Sequence, residues 1–588
     1  MENTNIEVKV FQLGDIPLLL GVIEKLNIVS IVDKYLPVHH LHQGLSNGWL
    51  TAIWLCHIMS TSNHAKCHVR EWSIVHRDTL ELCCRQKIRD VDFDDSRLSL
   101  LLARLHVDTV KAGLEKDLFA ENVYLYELET IAEQSEKIRS DAPLTAVHID
   151  TTTSYGYHCN AEGVMQLGHS KDHRSDLLQL KLLAAAVKGK LLHHQTYPGN
   201  YADDKLYYPA IQEVRKIIDK KGMLYVGDCK MAAIETRAQI IRDGDFYLTH
   251  LPETKGNKEF IAQCIETIVT ATTQPVHLVY RDDVLLGGGN EFSRNLSYSF
   301  DEQTPAIEWN ETVFVFHSNS HFATIQKNLE KHLQQAIDEI NKLTPPVAKG
   351  KRQITEENQL LQNIATICQR HGVENMIAVE YKQESQTQTK YVGKGRGSEN
   401  RPTQEVTKIR YQIISATVKE QEVKEHLRRK GWTAYVSNIP PSVINLDNAI
   451  LTYRQNYHLE NNFHILKDKP LSIRPLYVHH DHQITGLTNL LMLSFRIIDY
   501  IESIIAEQIL KQNKPLKGLY ESQSPKLFYT ATCVTILKFF SKYNISLCIV
   551  HAEGQTIQLK INNMKDEHYT ILKMLNISID KYNNPMKL

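Results

Sequence analysis

The stretch LTAVHIDTTTSYGYH places an aspartate inside a segment that otherwise has the composition of a buried β-strand. Val147 and Ile149 alternate with His148. Asp150 comes next and is followed by three threonines, a serine and two tyrosines. β-branched and aromatic residues at this density predict a strand. A carboxylate near the middle of a strand is costly to bury unless something pairs with it, so the fold has to provide a partner for Asp150.

Length and composition restrict the class of protein. At 588 residues the chain is too long for one ordinary core, so we expect several domains. Its hydrophobic content of 42% and charged content of 23% are typical of a soluble globular protein. The ten cysteines include no C-x2-C pair, which indicates neither a zinc site nor a disulfide framework.

Two features of the sequence bear on its location. The first residues lack the basic-then-apolar pattern of a signal peptide. The most apolar long run is interrupted by Arg496, Asp499 and Glu502, which is typical of a core helix and not of a membrane span. We therefore expect a cytoplasmic protein that is not inserted in a membrane.

Changes in hydrophobic periodicity divide the chain into four predicted regions. Residues 1–120 predict a helical accessory domain, either a structural support or a DNA-binding domain. Residues 140–252 predict alternating strands and helices, and together with residues 440–511 they indicate an α/β domain with a mixed sheet. Residues 253–440 predict an insertion with strands, a long helix and a basic segment, and residues 512–588 a helix and a hairpin.

The basic segment, residues 344–433, has sixteen lysines and arginines against ten acids, although the whole chain has a formal net charge of −1. Tyr391, Tyr411 and Trp432 are interspersed with these cations. Both a solvated protein surface and a surface that follows nucleic-acid phosphates have this composition. The candidate DNA-binding residues of this segment are Lys394, Arg396, Arg428, Arg429 and Lys430.

A second acid, Asp228, follows the apolar run MLYVG, so we expect its carboxylate at the carboxyl edge of a strand. Open α/β sheets bind ligands at that edge. Two acids on neighbouring strands, with no obvious cation between them, suggest a divalent metal ion. For Asp150 or Asp228 alone, an aspartate that caps a helix or stabilises a turn is the alternative.

A third acid, Glu460, belongs to a segment that we predict as one continuous helix with Asn445 as its N-cap. On that helix one face would carry Tyr453, Asn456, Glu460 and Lys467. A phenol, an amide, a carboxylate and an ammonium on one face are not a plain core stripe. They suit metal ligation by Glu460, with Tyr453 and Lys467 holding phosphates nearby.

These segments together resemble the DDE transposases of bacterial insertion sequences. The resemblance is closest to the insertion-sequence-four branch, which has a Y-x2-R-x3-E-x6-K signature with which Tyr453, Glu460 and Lys467 are in register. It covers roughly residues 140–500. The other matching segments are HIDTTTSYGYH, GHSKDHRSDLLQLKL and YVGDCKMAA.

The chain departs from this signature at one position. Asn456 stands where the signature has an arginine. Arg454 is nearby, but six residues before Glu460 corresponds to about 240° of helical rotation, which is another face. Either Arg454 reaches around the helix with its long side chain or the phosphate contact is made elsewhere.

The resemblance implies an RNase H-like catalytic domain interrupted by a largely β insertion. Asp150 would lie on its first strand, Asp228 just after its fourth, and Glu460 on a later helix. The three acids would hold two Mg2+ or Mn2+ ions roughly 3.5–4 Å apart, which would activate water and later a 3′-hydroxyl and would stabilise the leaving oxygen. The Asp150 carboxylate would thus have metal ions as its partners.

The resemblance also implies double-stranded DNA as the partner, both the terminal inverted repeats of the element and the target DNA. It implies a homodimer assembled on DNA, associated with the bacterial nucleoid when bound. In the segment GHSKDHRSD, Lys171, His173 and Arg174 suit phosphate contacts, with an ordinary polar turn as the equal alternative.

The leading hypothesis is a DNA transposase that binds element ends, cleaves phosphodiester bonds and joins 3′-hydroxyl ends to target DNA. An RNase H-like nuclease without strand transfer is one alternative. A catalytically inactive DNA-binding descendant of a transposase is another, although the presence of all three acids argues against it.

Overall fold

The computed structural model describes residues 6–137, 142–159, 161, 163–270, 276–348, 350–392, 402–519, 530–552 and 555–585. The chain forms two compact units. Unit 1 comprises Met1–His250, Arg294–Thr312 and Val436–Leu588, and unit 2 comprises Leu251–Ser293 and Val313–Tyr435. The regions predicted at 1–120, 140–252, 440–511 and 512–588 therefore belong mainly to a single unit.

The N-terminal part of unit 1 is mostly helical, as the periodicity predicts. Apolar side chains at helical spacing are buried along most of these helices. Its elements are β1 (Ile6–Gln12), α1 (Ile16–Lys25), α2 (Ile28–Tyr35), α3 (Asn47–Thr61), α4 (Val69–Val75), α5 (Arg77–Cys84), α6 (Asp95–Leu105), α7 (Asp108–Glu121) and α8 (Ile131–Ser135).

A mixed sheet follows in unit 1. Its elements are β2 (Val147–Gly156), β3 (Leu178–Val187), β4 (Lys190–Pro198), α9 (Tyr207–Ile218), β5 (Leu224–Gly227), α10 (Ile234–Arg242) and β6 (Phe246–His250). The strand order is β4-β3-β2-β5-β6. β3 is antiparallel to β2 and β4, whereas β2, β5 and β6 run parallel. The predicted strand GVMQLG is absent from the described residues, where Gln166 forms only an isolated bridge with Gln179.

The central region contains nearly as much helix as strand. Its elements are α11 (Lys255–Thr270), β7 (His277–Arg281), β8 (Val284–Tyr298), β9 (Ile307–Ser318), α12 (Asn319–Lys342), α13 (Glu357–His371), β10 (Ile377–Tyr391), β11 (Thr403–Val418), α14 (Glu420–Arg428) and β12 (Trp432–Ser437). The expectation of a largely β insertion was therefore wrong. α12 and α13 supply much of a separate core, in which Leu333, Ile340 and Leu360 are buried with Ile413 of β11.

The last part of the chain returns to unit 1. Its elements are α15 (Leu446–Arg454), α16 (Tyr457–Lys467), α17 (Asp481–Gln512), α18 (Cys533–Lys542), β13 (Ser546–Ala552), β14 (Gln555–Asn562), α19 (Asp566–Met574) and α20 (Asp580–Asn583). The predicted C-terminal hairpin is confirmed as β13 and β14. β1 pairs antiparallel with β13, so residues from both ends of the sequence share one three-stranded sheet.

α17 is the central helix of the unit 1 core. It packs against α6, α3 and α1, and most of its side chains are buried. In the described residues it is the one helix long and apolar enough to cross a membrane, and 89% of its most apolar window is buried inside the protein. Burial of this kind agrees with the prediction of a core helix.

Candidate functional site

Asp150 and Asp228 occupy equivalent positions on two neighbouring parallel strands. β2 pairs with β5 in a register that matches Ile149 with Gly227, the last residue of β5. Asp150 directly follows Ile149, and Asp228 directly follows Gly227. Because the two strands run in the same direction, the register places the two acids side by side at the edge where β5 ends.

Asp150 is an acid whose charge the fold compensates only in part. Its side chain is 14% exposed, and within the described ranges it forms one ion pair, with Lys171, at 3.5 Å between Nζ and Oδ1. Burial raises the pKa of the Asp150 carboxyl to about 6, and the nearby Asp228 carboxylate adds to the rise. Lys171 and the Thr151 N–H, which donates to Oδ1 at 2.7 Å, oppose this rise without cancelling it.

Asp228 is fixed by neutral donors. Tyr207, at the start of α9, donates its hydroxyl to Oδ1 at 2.6 Å, and the Lys230 N–H donates to the same oxygen at 2.9 Å. Burial raises the pKa of the Tyr207 phenol well above its usual value, and the Asp228 and Asp150 carboxylates add to the rise. Tyr207 therefore stays protonated as a donor. Sequence reasoning did not identify it, since a tyrosine in the first turn of an amphipathic helix carries no distinctive signal.

The loop GHSKDHRSD lies beside the acid pair. Besides its contact with Asp150, the Lys171 ammonium donates to the Thr151 carbonyl and, at 3.1 Å, to the Thr151 hydroxyl. Arg174 makes two hydrogen bonds of 2.8 Å to Asp176 and lies over the Tyr155 ring. Of the three candidate phosphate contacts in this loop, Lys171 is the one that contacts an acid of the pair among the described residues.

The prediction of one continuous helix around Glu460 was wrong. α15 ends at Arg454 and α16 begins at Tyr457. Between them the N–H of Gln455 donates to the Thr452 carbonyl, and the N–H of Asn456 donates to the Tyr453 carbonyl. Each acceptor lies three residues earlier in the chain. These shorter-range bonds tighten the turn and change the register, so a face cannot be followed from Tyr453 to Glu460 at 3.6-residue spacing.

One detail of this segment agrees with the sequence interpretation and one does not. Asn445 is the N-cap of α15, since its side chain accepts from the Asn448 N–H at 2.9 Å. Asn456, which replaces the signature arginine, is the N-cap residue of α16 and interacts with the buried His148 ring of β2. The Asn456 backbone is already helical and its side chain makes no capping hydrogen bond, so Asn456 does not set the start of α16 in the way that Asn445 caps α15.

α16 packs against β2 and β3 and carries two of the predicted site residues. Glu460 is exposed in its first turn. Lys467, in its last turn, is buried and pairs with the buried Asp172 at 2.7 Å, which also accepts from Arg474 at 2.7 Å. Burial lowers the pKa of the Lys467 ammonium, and Asp172 opposes this. Lys467 thus ties α16 to the loop that carries Lys171.

The structure brings together two of the three predicted acids. Asp150 and Asp228 interact electrostatically. Across the described ranges, no group of three or more histidine, cysteine, aspartate or glutamate side chains is arranged to hold a metal ion, so Glu460 does not join the pair in such a group. The oxygen donors of the two aspartates, which carry excess negative charge, nevertheless suit Mg2+, because it often binds through one or two carboxylates and retains several waters.

The other predicted DNA-binding residues lie apart from the acid pair in the sequence. Tyr453 and Arg454 are half-buried at the end of α15. In unit 2, Arg429 pairs with Glu266 at 3.0 Å, Arg428 lies 3.7 Å from Glu425, and Lys430 is exposed. Two further residues predicted to bind DNA, Lys394 and Arg396, lie outside the described residues.

Comparison with known proteins adds little. No protein-family model and no curated protein matches the chain. Among solved structures, the chain is similar to a cryo-EM structure of the piggyBac transposase synaptic complex with hairpin DNA, with a TM-score of 0.23 and 10% sequence identity over 84% of each chain. A similarity at this level carries no argument about fold or function. The site defines an α/β protein with paired carboxylates at the carboxyl edge of its sheet.

Proposed function

We propose that this protein is a DDE-type DNA transposase that binds element ends, cleaves phosphodiester bonds and joins 3′-hydroxyl ends to target DNA. The observation that carries the proposal is the pairing of Asp150 and Asp228 in register on parallel strands, with one lysine as the only cation in contact with Asp150 among the described residues. An acid pair that is short of positive charge favours a divalent cation.

The arrangement of the sheet supports an RNase H-like catalytic domain as part of this proposal. In chain order β2 is the first strand of the mixed sheet and β5 is the fourth. Asp150 lies on the first and Asp228 directly after the fourth, which is the placement that the resemblance implies. α16, which carries Glu460, packs against the first two strands.

The residues of the site have separate tasks in this proposal. Asp150 and Asp228 would hold the metal ions, and Tyr207 orients the Asp228 carboxylate through its 2.6 Å hydrogen bond. Glu460, which does not group with the two aspartates in this structure, is the proposed third ligand. Two Mg2+ or Mn2+ ions supply the charge that activates a water or a 3′-hydroxyl and neutralises the leaving oxygen. Lys171 is held at the acid pair by Thr151, where its ammonium is placed to bind a phosphate oxygen of the DNA.

The same proposal includes the partners and the location. The substrate is double-stranded DNA, namely the terminal inverted repeats and the target. The acting form is a homodimer assembled on DNA, in the cytoplasm at the nucleoid. Imperfect inverted repeats in the DNA on both sides of the gene would supply the duplexes for the assays.

The test separates binding from chemistry at Glu460. Glu460→Gln keeps the size and helix propensity of the side chain but removes the charge, so we expect end binding to persist while nicking and joining fall together. Mobility-shift and cleavage assays on one end-bearing duplex measure both, and Glu507→Gln, at another exposed helical position, is the control. Normal cleavage by Glu460→Gln would remove Glu460 from the site.

The metal requirement is tested on the same duplex. Cleavage is expected with Mg2+ or Mn2+ and not in EDTA, because carboxylates alone cannot neutralise the leaving oxygen. Cleavage in EDTA would contradict a metal-dependent mechanism. Nicking without joining of a 3′-hydroxyl end to a target duplex would instead identify a nuclease.

A further inference from the structure

β10 and β11 form a long two-stranded ribbon in unit 2. They pair antiparallel from Ile377 with Val418 to Tyr391 with Thr403, with one irregularity at Glu380. The base of the ribbon packs in the unit 2 core through Tyr381, Tyr411 and Ile413. Beyond Glu384 almost every side chain is exposed. The exposed part has seven residue pairs and is about 20 Å long.

The two faces of this exposed part differ in chemistry. Residues directly opposite each other in an antiparallel pair share a face, and so do alternate residues along a strand. One face, here called the glutamine face, consists of Gln386, Gln388, Lys390, Gln404, Val406 and Lys408. The opposite face, here called the threonine face, consists of Ser385, Thr387, Thr389, Tyr391, Thr403, Glu405, Thr407 and Ile409.

Charge separates the faces further. The glutamine face has two lysines and no acid, whereas the charged residue of the threonine face is Glu405. Toward the base, the side of the glutamine face continues with Lys382, Glu384 and Arg410. Glu384 is neutralised there, because it pairs with both Lys382, at 2.7 Å, and Arg410, with Nε at 2.8 Å. This side of the ribbon is therefore positive along its length.

The glutamine face matches duplex DNA in shape and in chemistry. The major groove admits a two-stranded ribbon, and about 20 Å of ribbon spans about six base pairs. Glutamine can bind adenine through two hydrogen bonds, and lysine binds guanine or a phosphate. In the described part of the chain, no hydrogen bond or ion pair engages the side chains of Gln386, Gln388 or Gln404.

We propose that the glutamine face lies in the major groove of duplex DNA and reads its sequence. Gln386, Gln388 and Gln404 contact base edges, while Lys390 and Lys408 bind bases or phosphates at the groove. The inference deepens the proposed function, on which it rests, by naming the surface that recognises a DNA sequence. The threonine face has the opposite charge and is turned away from the DNA.

The experiment uses the full chain in EDTA, so that binding is measured without cleavage. A pool of duplexes with a randomised core is enriched by binding, and the affinity for the enriched duplex is compared with that for a shuffled duplex. The test variant carries Gln386→Thr, Gln388→Thr and Gln404→Thr, which retain strand propensity. We expect the wild type to bind the enriched duplex at least about tenfold more tightly than the shuffled duplex. The variant should lose this preference, while its affinity for the shuffled duplex stays unchanged.

The matched control makes the reverse exchange on the other face, Thr387→Gln, Thr389→Gln and Thr407→Gln, and should keep the preference. The double variant Lys390→Gln, Lys408→Gln should bind both duplexes more weakly. Its slope of log affinity against log salt concentration should be smaller in magnitude by about two. An unchanged preference in the glutamine variant, an equal loss in the control, or a wild type without any preference would overturn the inference. A change only in the oligomeric state would also overturn it, and would indicate pairing with a second copy.

The outcomes separate this inference from the proposed function. A sequence preference that depends on the glutamine face, in a protein that cleaves no duplex with Mg2+, would sustain the ribbon inference and overturn the transposase. Metal-dependent cleavage and joining, with a sequence preference that the ribbon variants do not change, would sustain the transposase proposal and overturn the ribbon inference.

Discussion

Asp150 and Glu115 are both buried carboxylates of unit 1, and their surroundings act on them in opposite directions. Burial alone would raise the pKa of Glu115, but His193, Lys111 and His194 more than offset it and hold the pKa well below its usual value. Among the described residues Asp150 has Lys171 as its one cation partner, and its pKa rises to about 6. The comparison teaches that an acid compensated by the fold is structural, whereas an acid left short of positive charge marks a place for a ligand.

The contacts of Glu115 show how complete that compensation is. Its carboxylate accepts from His193 Nδ1 at 2.8 Å and from the His194 N–H at 3.0 Å, and the Lys111 ammonium lies at 3.5 Å. His194 also contacts Asn489 at 2.9 Å, so the network joins α7, β4 and α17. Among the described residues Asp150 has fewer polar contacts than this, namely the ion pair with Lys171 and the hydrogen bond from the Thr151 N–H.

The largest effect is expected from breaking the compensated acid. Glu115→Gln leaves Lys111 buried without its counter-charge, and the loss of one partner of a buried pair typically costs about 3–5 kcal/mol. Urea denaturation near neutral pH measures the free energy of unfolding. The control is Glu121→Gln, at an exposed position of the same helix, which should change it by less than about 0.5 kcal/mol. A similarly small change for Glu115→Gln would show that the network is not structural.

The second prediction concerns Asp150→Asn, which should stabilise the metal-free protein while removing activity. A folded-state pKa of about 6, above the usual 3.8, means that the native state holds this proton better than the unfolded chain does. The wild type therefore loses stability as pH rises from about 4 through about 6. Above that range the variant should be more stable by up to about 3 kcal/mol, and below about pH 4 the difference should vanish.

Urea titrations of both proteins across this pH range provide the measurement. Asp204→Asn, at an exposed position, serves as the control and should show no such pH-dependent difference. A variant less stable than the wild type near pH 8 would mean that the Asp150 charge is already compensated in the folded protein.

The smallest effect is expected from adding the missing positive charge. Millimolar Mg2+ should raise the stability of the wild type by roughly 1–2 kcal/mol, the gain for a ligand present at about ten times its Kd or more. The gain should be larger near pH 8 than near pH 5, because the Asp150 carboxyl must lose its proton to bind the ion. Thermal unfolding with and without Mg2+ tests this. Asp150→Asn should show little gain, and an equal gain in both proteins would place the ion elsewhere.

The sequence identified the acid pair because its signal is local. Asp150 and Asp228 each interrupt an apolar strand pattern, and parallel pairing brings such positions together. Glu115 and Tyr207 had no local signal. Glu115 depends on histidines 78 and 79 residues away, and the role of Tyr207 depends on an acid 21 residues further along the chain.

Other features missed in the sequence have similar causes. The break before α16 has no proline or glycine in the sequence to mark it, and the Leu144 N–H donates to the Thr452 hydroxyl at 2.7 Å near the end of α15. The ribbon is indicated only in part by the sequence: TKYVG and TKIRYQIISATV predict strands, but β10 begins at Ile377, twelve residues before the first of these segments. β1 was included in a helical region, and its only partner in the described sheet is β13, more than 500 residues away.

The pairing of β1 with β13 sets an order of events during synthesis. Residues 6–12 leave the ribosome well before their partner strand at 546–552, which is translated roughly half a minute to two minutes later, at about 5–20 residues per second. During that interval Asp150 and Asp228 have already been translated, but the sheet of β1, β13 and β14 cannot form. A nascent chain therefore has to keep the seven residues of β1 unpaired and out of aggregates until β13 has been translated.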